Sequence, residues 1–327
     1  MQGFILGILN IFALTLIFVP DASAATYTYS PIDMPGAVTT GISGINNASQ
    51  VVGASDTPSG NQGFVASGGT FTTIAAPGPV ITSPLGLNNA GQVVGSTFDG
   101  TNPSQGFLYS EGAFTPINNP SGQFLTASGI NDTGQIVGSF QTTSGTFTTE
   151  QGFLLSPNGT FSLINVPGSI FTEAIGINNM GQIVGRFRDA TGFEQGFLYS
   201  GGIYNPIIAP GALITQSSGI NNSGQIVGTF YDGFRQGSYL YSSSIFTSIE
   251  VPDSPLTIAR GINDSGQIVG TFYGPTGVGY HGFVASPVPL PASLILFAFG
   301  LVGLSMFALR QRSHWQAGTS PVRPAPM

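Results

Sequence analysis

GINNSGQIVGTFY, Gly219–Tyr231, reads as a turn between two strands. Asn221-Asn222-Ser223-Gly224 has turn composition, and Gln225–Tyr231 is rich in β-branched and aromatic residues. Gly224 supplies the positive φ that a short hairpin turn needs, at no Cβ cost. The phrase recurs with starts at Gly44, Gly86, Gly129, Gly176, Gly219 and Gly261, at spacings of 42, 43, 47, 43 and 42 residues. A fixed period of this size marks one supersecondary unit repeated along the chain.

Outward from the turn, Ser217–Asn221 forms a lead-in strand, and Gly237–Tyr241 (GSYLY) and Ile245–Val251 (IFTSIEV) follow. Each unit thus holds four antiparallel strands, lettered A to D in chain order. In strand B, Ile226 and Phe230 share one face and Val227 takes the other. Both faces are apolar, so each sheet needs cover on both sides. Four-stranded units of this length, stacked face to face around an axis, are propeller blades. Gly228, in mid-strand, leaves room for a neighbouring backbone or a bulky Phe.

The frame of the array sharpens this expectation. Five repeats are each followed by a D segment, but the sixth ends at Gly282–Ser286 without one. A matching segment, YSPIDMPG, stands instead at Tyr29–Gly36. If it completes the last blade, the ring closes with no open edge. The expected fold is all-β: a six-bladed β-propeller over residues 25–287, closed by N-terminal strand exchange. A β-solenoid or sandwich array is the alternative.

Charged residues make up 6% of the 327, there is no lysine, and the net charge is −7. Residues 26–287 hold 13 acids against 4 arginines. No basic cluster exists for phosphate contacts, which excludes a nucleic-acid partner. The 25 Phe and 10 Tyr give every repeat something to bury, so the Gly-rich stretches do not signal disorder. Zero cysteines removes disulfides, thiolate metal sites and cysteine nucleophiles.

Both ends lie outside the repeats. Residues 4–19 are an apolar run followed by Pro20 and Ala22-Ser23-Ala24, the h-region and cleavage site of a signal peptide over residues 1–24. A second apolar stretch, Ala292–Leu309, is 18 residues long, against the ~20 that span a bilayer. Arg310 and Arg312 beyond it favour a cytoplasmic tail over residues 313–327, which leaves residues 25–288 outside the inner membrane.

Pro289-Leu290-Pro291, the apolar run and Arg310-Gln311-Arg312 together resemble a PEP-CTERM sorting signal over residues 288–312, with Leu290 where Glu is usual. The resemblance implies an inner-membrane intermediate, processing by an exosortase-type protease, and then a cell-surface or extracellular location. The repeat phrase is followed by Gln-Gly-Phe at Gln62, Gln105, Gln151 and Gln195 and by His-Gly-Phe at His281. It is similar to the HAF-type extracellular repeat, which implies an exported protein of the same fold.

Catalytic stock is scarce. His281 falls on the repeat's Gln position and His314 lies in the tail. No GxSxG, P-loop or HExxH is present, so no catalytic residue, metal site or cofactor is assigned. Asp132 and Asp264 occupy turns where the other four copies have Asn, which marks turn formation and not calcium binding. A carboxylate pair drawn from Asp99, Glu150, Glu173, Asp189, Glu194 and Asp232 leaves a glycosidase mechanism open.

The segments between strands B and C hold nine of the seventeen charged residues of the repeat region. Function is usually grafted onto such variable segments over a fixed scaffold. Arg186, Arg188 and Asp189, with Phe234 and Arg235, are therefore the expected ligand patch. The expected function is a surface-sorted, non-catalytic binding or structural protein of an extracellular polysaccharide matrix. The alternatives are a glycan-active enzyme using two loop carboxylates and a membrane-anchored periplasmic scaffold.

Overall fold

A computed structural model describes residues 27–288 except 79, 103, 119–123, 145–146 and 275–278. The expected signal peptide, and the C-terminal apolar stretch with its flanking Pro289, Leu290, Pro291, Arg310 and Arg312, lie outside the described residues. The described residues form six four-stranded antiparallel sheets arranged as a six-bladed β-propeller. The fifth blade comprises Ile214–Ile220, Ile226–Tyr231, Gln236–Ser242 and Ile245–Ile249 as strands A to D.

The two-faced strand B explains the stacking. Ile226 packs with Val184 and Ile207 of the fourth blade. Val227, one residue on, packs with Ala259, Ile268 and Phe283 of the sixth. Both side chains are fully buried, which stabilises the interface by about 1.5–3 kcal/mol each. A Cβ on Gly228 would collide with the Gln216 carbonyl oxygen and the Tyr239 hydroxyl, so this position admits only glycine.

The repeat glycines close the centre. In strand A, a Cβ on Gly86 would stand 2.8 Å from the Ser128 carbonyl oxygen and 3.1 Å from the Gly129 Cα. The same close approach runs from blade to blade around the axis, ending with Gly261 against Gly44.

Just beyond this waist, the asparagines of the six turns form a hydrogen-bonded belt. Asn221 is typical. Its Oδ1 accepts from the Gln225 backbone N–H, which holds its own turn. Its Nδ2 donates to the carbonyl oxygen of Asn263 in the next blade at 3.0 Å. The next residue adds a second circuit, in which the Asn222 N–H donates to Asp264 Oδ1 at 2.8 Å. Asp132 and Asp264 each accept, through Oδ2, from the side-chain amides of both flanking asparagines. They are turn-formers that also terminate the amide donors of the belt.

The sixth sheet has the order Tyr27–Ile32, Tyr280–Pro287, Ile268–Tyr273, Thr257–Ile262. The first described strand thus stands outside the last. Ala285 pairs with Ile268 beside the Asn263–Gln267 turn, and the Thr28 hydroxyl donates to the Ser286 carbonyl at 3.4 Å. The chain therefore enters and leaves the ring on the belt side.

Candidate functional site

The opposite mouth of the central channel is charged. A bulge in the A–B ladder prepares it: pairing steps from Ser217 to Gly219 in the fifth blade and from Ala259 to Gly261 in the sixth, and all six blades share this step. A bulge re-aims the skipped side chain. Here the skipped residues, Ser218 and Arg260 among them, line a cavity of about 230 Å³ together with Glu173, Arg186 and Gln216.

Arg186 is the hub. Its Nε lies 2.6 Å from Glu173 Oε2 and its Nη1 lies 2.9 Å from Glu194 Oε1. Arg188 Nη2 reaches the second oxygen of Glu194 at 3.1 Å, and Gln216 Nε2 of the next blade donates to Glu194 Oε1 at 2.7 Å. Both guanidinium groups stand over the Phe171 ring, with centroid distances of 5.2 and 5.6 Å. The aromatic face adds attraction to the two cations.

The protonation states follow from these partners. Burial pushes the Glu194 carboxyl up, but Arg186, Gln216 and Arg188 outweigh it and hold the group below its ordinary value. Glu150, bonded to the Ser139 hydroxyl, is raised, chiefly by burial and further by the nearby Glu173 charge. Burial lowers Arg260, with Glu173 partly opposing. The side chain is exposed to solvent inside the channel, with protein on all sides of it. It has no hydrogen-bond acceptor or ion-pair partner among the described residues.

The structure separates the expected ligand patch. Arg186 and Arg188 share the network, but they lie on the strand Ile183–Arg188 and not in a loop. Glu194 opens the strand Glu194–Ser200, and Glu150 falls within Phe147–Leu155. Asp189 is a turn-former whose Oδ1 accepts from the Thr191 and Phe193 N–H groups. Arg235 turns to Glu250 at 2.9 Å and stands over Phe230. Phe234 is 97% exposed on the adjoining loop. Of the six carboxylate candidates, Glu150, Glu173 and Glu194 gather at the mouth. Asp99 and Asp232 instead accept neighbouring loop N–H groups, as Asp189 does. His281 sits at a strand start with Nδ1 at 2.9 Å from Asp33 Oδ2.

Arg260 escapes a search of variable segments because it sits inside the repeated frame. Its signal is a single column, the residue before the repeat glycine, which reads Ser, Leu, Ser, Ile, Ser, Arg around the ring.

Residues 287–313 match the PEP-CTERM protein-sorting motif. The chain carries a PEP-CTERM sorting motif. The motif implies export, processing by exosortase and a cell-surface or extracellular location. No curated protein matches the chain. Among solved structures, the chain is similar to the six-bladed fungal lectin of Aleuria aurantia at 13% identity and TM-score 0.48, over 80% of this chain and 99% of that one. It is also similar to a gluconolactonase from Xanthomonas campestris at 10% identity and TM-score 0.49, over 81% and 91%. A third is virginiamycin B lyase from Staphylococcus aureus at 13% identity and TM-score 0.42, over 81% and 90%. Likeness this distant carries no argument about ligand or activity.

Proposed function

We propose that this surface-sorted propeller acts as a non-catalytic binding or structural protein of an extracellular polysaccharide matrix. Residues 1–24 serve as its signal peptide, the first strand closes its ring, and its repeats belong with the HAF-type extracellular class. The observation that carries the binding half is an asymmetry of charge. Three of the four arginines of the repeat region (Arg186, Arg188 and Arg260) and three glutamates stand at one channel mouth. The other mouth is lined by asparagines that satisfy one another. Rigid blades hold the charged groups in place, so little ordering is lost when a ligand enters.

The test is retention of the full-length chain, purified in detergent, on the matrix polysaccharide of its own cells. Arg188→Gln is the informative variant, because Arg186 keeps the carboxylates paired without it. Retention weakened several-fold in the variant supports the reading. No retention of the wild type sinks it.

A glycan-active enzyme remains the second reading, and one observation favours it. Glu150 is raised while Glu194 is lowered, and acid–base pairs of carboxylates need such a split. Hydrolysis of matrix glycan that Glu150→Gln abolishes would establish it.

A further inference from the structure

In every blade the A–B ladder skips the residue before the repeat glycine, and the six skipped residues line one layer of the channel: Ser43, Leu85, Ser128, Ile175, Ser218 and Arg260. We propose that this layer is an anion site built around Arg260, taking the carboxylate of a small polyhydroxylated acid such as an acidic sugar. The proposal rests on the reading of this mouth as a binding site and names what enters it.

Four unpartnered polar groups in this layer support it. Arg260 has no acceptor among the described residues, and neither do the hydroxyls of Ser43, Ser128 and Ser218. Arg260 is exposed, and none of the three serine hydroxyls is sealed away, because every fully buried side-chain nitrogen and oxygen of the non-exposed described residues has a partner. They therefore face the cavity and are open to a ligand. A guanidinium offers a planar fork that matches a carboxylate with two parallel hydrogen bonds, and serine hydroxyls donate or accept as sugar hydroxyls require.

Charge and size narrow the ligand. Glu173 stands on the same wall, but Arg186 binds it at 2.6 Å, so it does not occupy the Arg260 fork. Glu173 acts on the Arg260 charge through space without hydrogen-bonding it, so the guanidinium fork stays open to an anion. The cavity of about 230 Å³ falls below the ~300 Å³ at which drug-sized pockets begin, so a single ring or smaller acid fits.

The test titrates the full-length chain in detergent with glucuronate, glucose, inorganic phosphate and an oligoglucuronide, read by calorimetry. Glucuronate is expected to bind at least tenfold more tightly than glucose, and Arg260→Gln to weaken glucuronate at least tenfold while leaving glucose unchanged. Equal binding of glucuronate and glucose, a comparison that needs no variant, overturns the site. So does an Arg260→Gln protein that keeps its glucuronate affinity. Phosphate binding as tightly as glucuronate overturns the carboxylate assignment. Oligoglucuronide binding as tightly as the monomer assigns a chain end, and monomer binding alone assigns a free acid; both support the site. A chain that retains matrix polysaccharide but ignores glucuronate overturns this site and leaves the proposed function standing. The reverse result leaves a small-acid site and removes the matrix role.

Discussion

Asn263 Nδ2 donates to the carbonyl oxygen of Asn46 at 3.0 Å, joining residues 217 positions apart. The same bond links every other pair of adjacent blades, at 3.0–3.2 Å. At this seam the belt welds the last repeat to the first as firmly as any two consecutive repeats. Asn263→Ala removes that bond and also strands the Ser265 and Gln267 N–H groups, which Asn263 Oδ1 accepts. The expected loss is about 2–4 kcal/mol by denaturant unfolding. Asn221→Ala should cost the same, and a much smaller loss at Asn263 would mean that the seam is not carrying load.

Removing residues 27–36 from the full chain tests closure by the first strand. The strand Tyr280–Pro287 would become an exposed edge, and Phe283 would lose its contact with the Tyr29 ring at 6.0 Å. Exposed edges of this kind recruit other chains. Size-exclusion chromatography should show oligomers or aggregate in place of monomer, and an unchanged elution volume would refute the role given to this strand.

Glu194→Gln should destabilise the ring by about 1.5–3 kcal/mol at neutral pH, since it turns one of the two oxygens that accept from Arg186 and Arg188 into an amide donor and removes the charge facing both. The sign with pH follows from the depressed carboxyl. Its contribution is complete above the unfolded value of ~4.3 and disappears as pH falls through the lower folded value. The gap between wild type and variant, measured by urea melts, should therefore shrink below about pH 4. A gap that does not move with pH would show that the charge is not responsible.

Gly228→Ala forces a methyl group into the Gln216 carbonyl oxygen. With backbone on one side and the buried Tyr239 on the other, neither neighbour can give way, and the expected cost is about 1–3 kcal/mol or more. Gly224→Ala, in the turn, meets open space and pays only for its φ of +77°. It should lose about 1–2 kcal/mol. Thermal melts of the pair check the order.

Phe234→Ala should leave stability within about 0.5 kcal/mol, because the ring touches little of the protein. If this exposed loop contributes to glycan capture, retention on polysaccharide falls several-fold at constant melting temperature. Unchanged retention would confine the site to the channel itself.

The fold is legible from residue order because each strand B spells out both of its faces. Ile226 and Val227 point to opposite neighbours, and only a stack of sheets satisfies both. The turn chemistry is equally plain, with one instructive departure. Ser49 takes the left-handed conformation at φ 59° where the other copies use glycine. Its hydroxyl donates to Gln267 Oε1 at 2.7 Å across the closing seam, a bond that glycine cannot make. The mouth is less legible. Glu194 meets Gln216 only because two blades stack, and no spacing in the chain announces that contact. Arg260 is hidden for a different reason: a bulge turns it into the channel, so that a residue on a repeated strand acts as a variable one.

The first strand's place outside Tyr280–Pro287 has a mechanical consequence. The chain's exit strand has ladders on both sides and is not an edge. A pull on the carboxyl end of this strand therefore loads two rows of hydrogen bonds in shear. An edge strand under the same pull would peel one bond at a time. The first strand thus makes the sixth sheet hard to unravel from its carboxyl end.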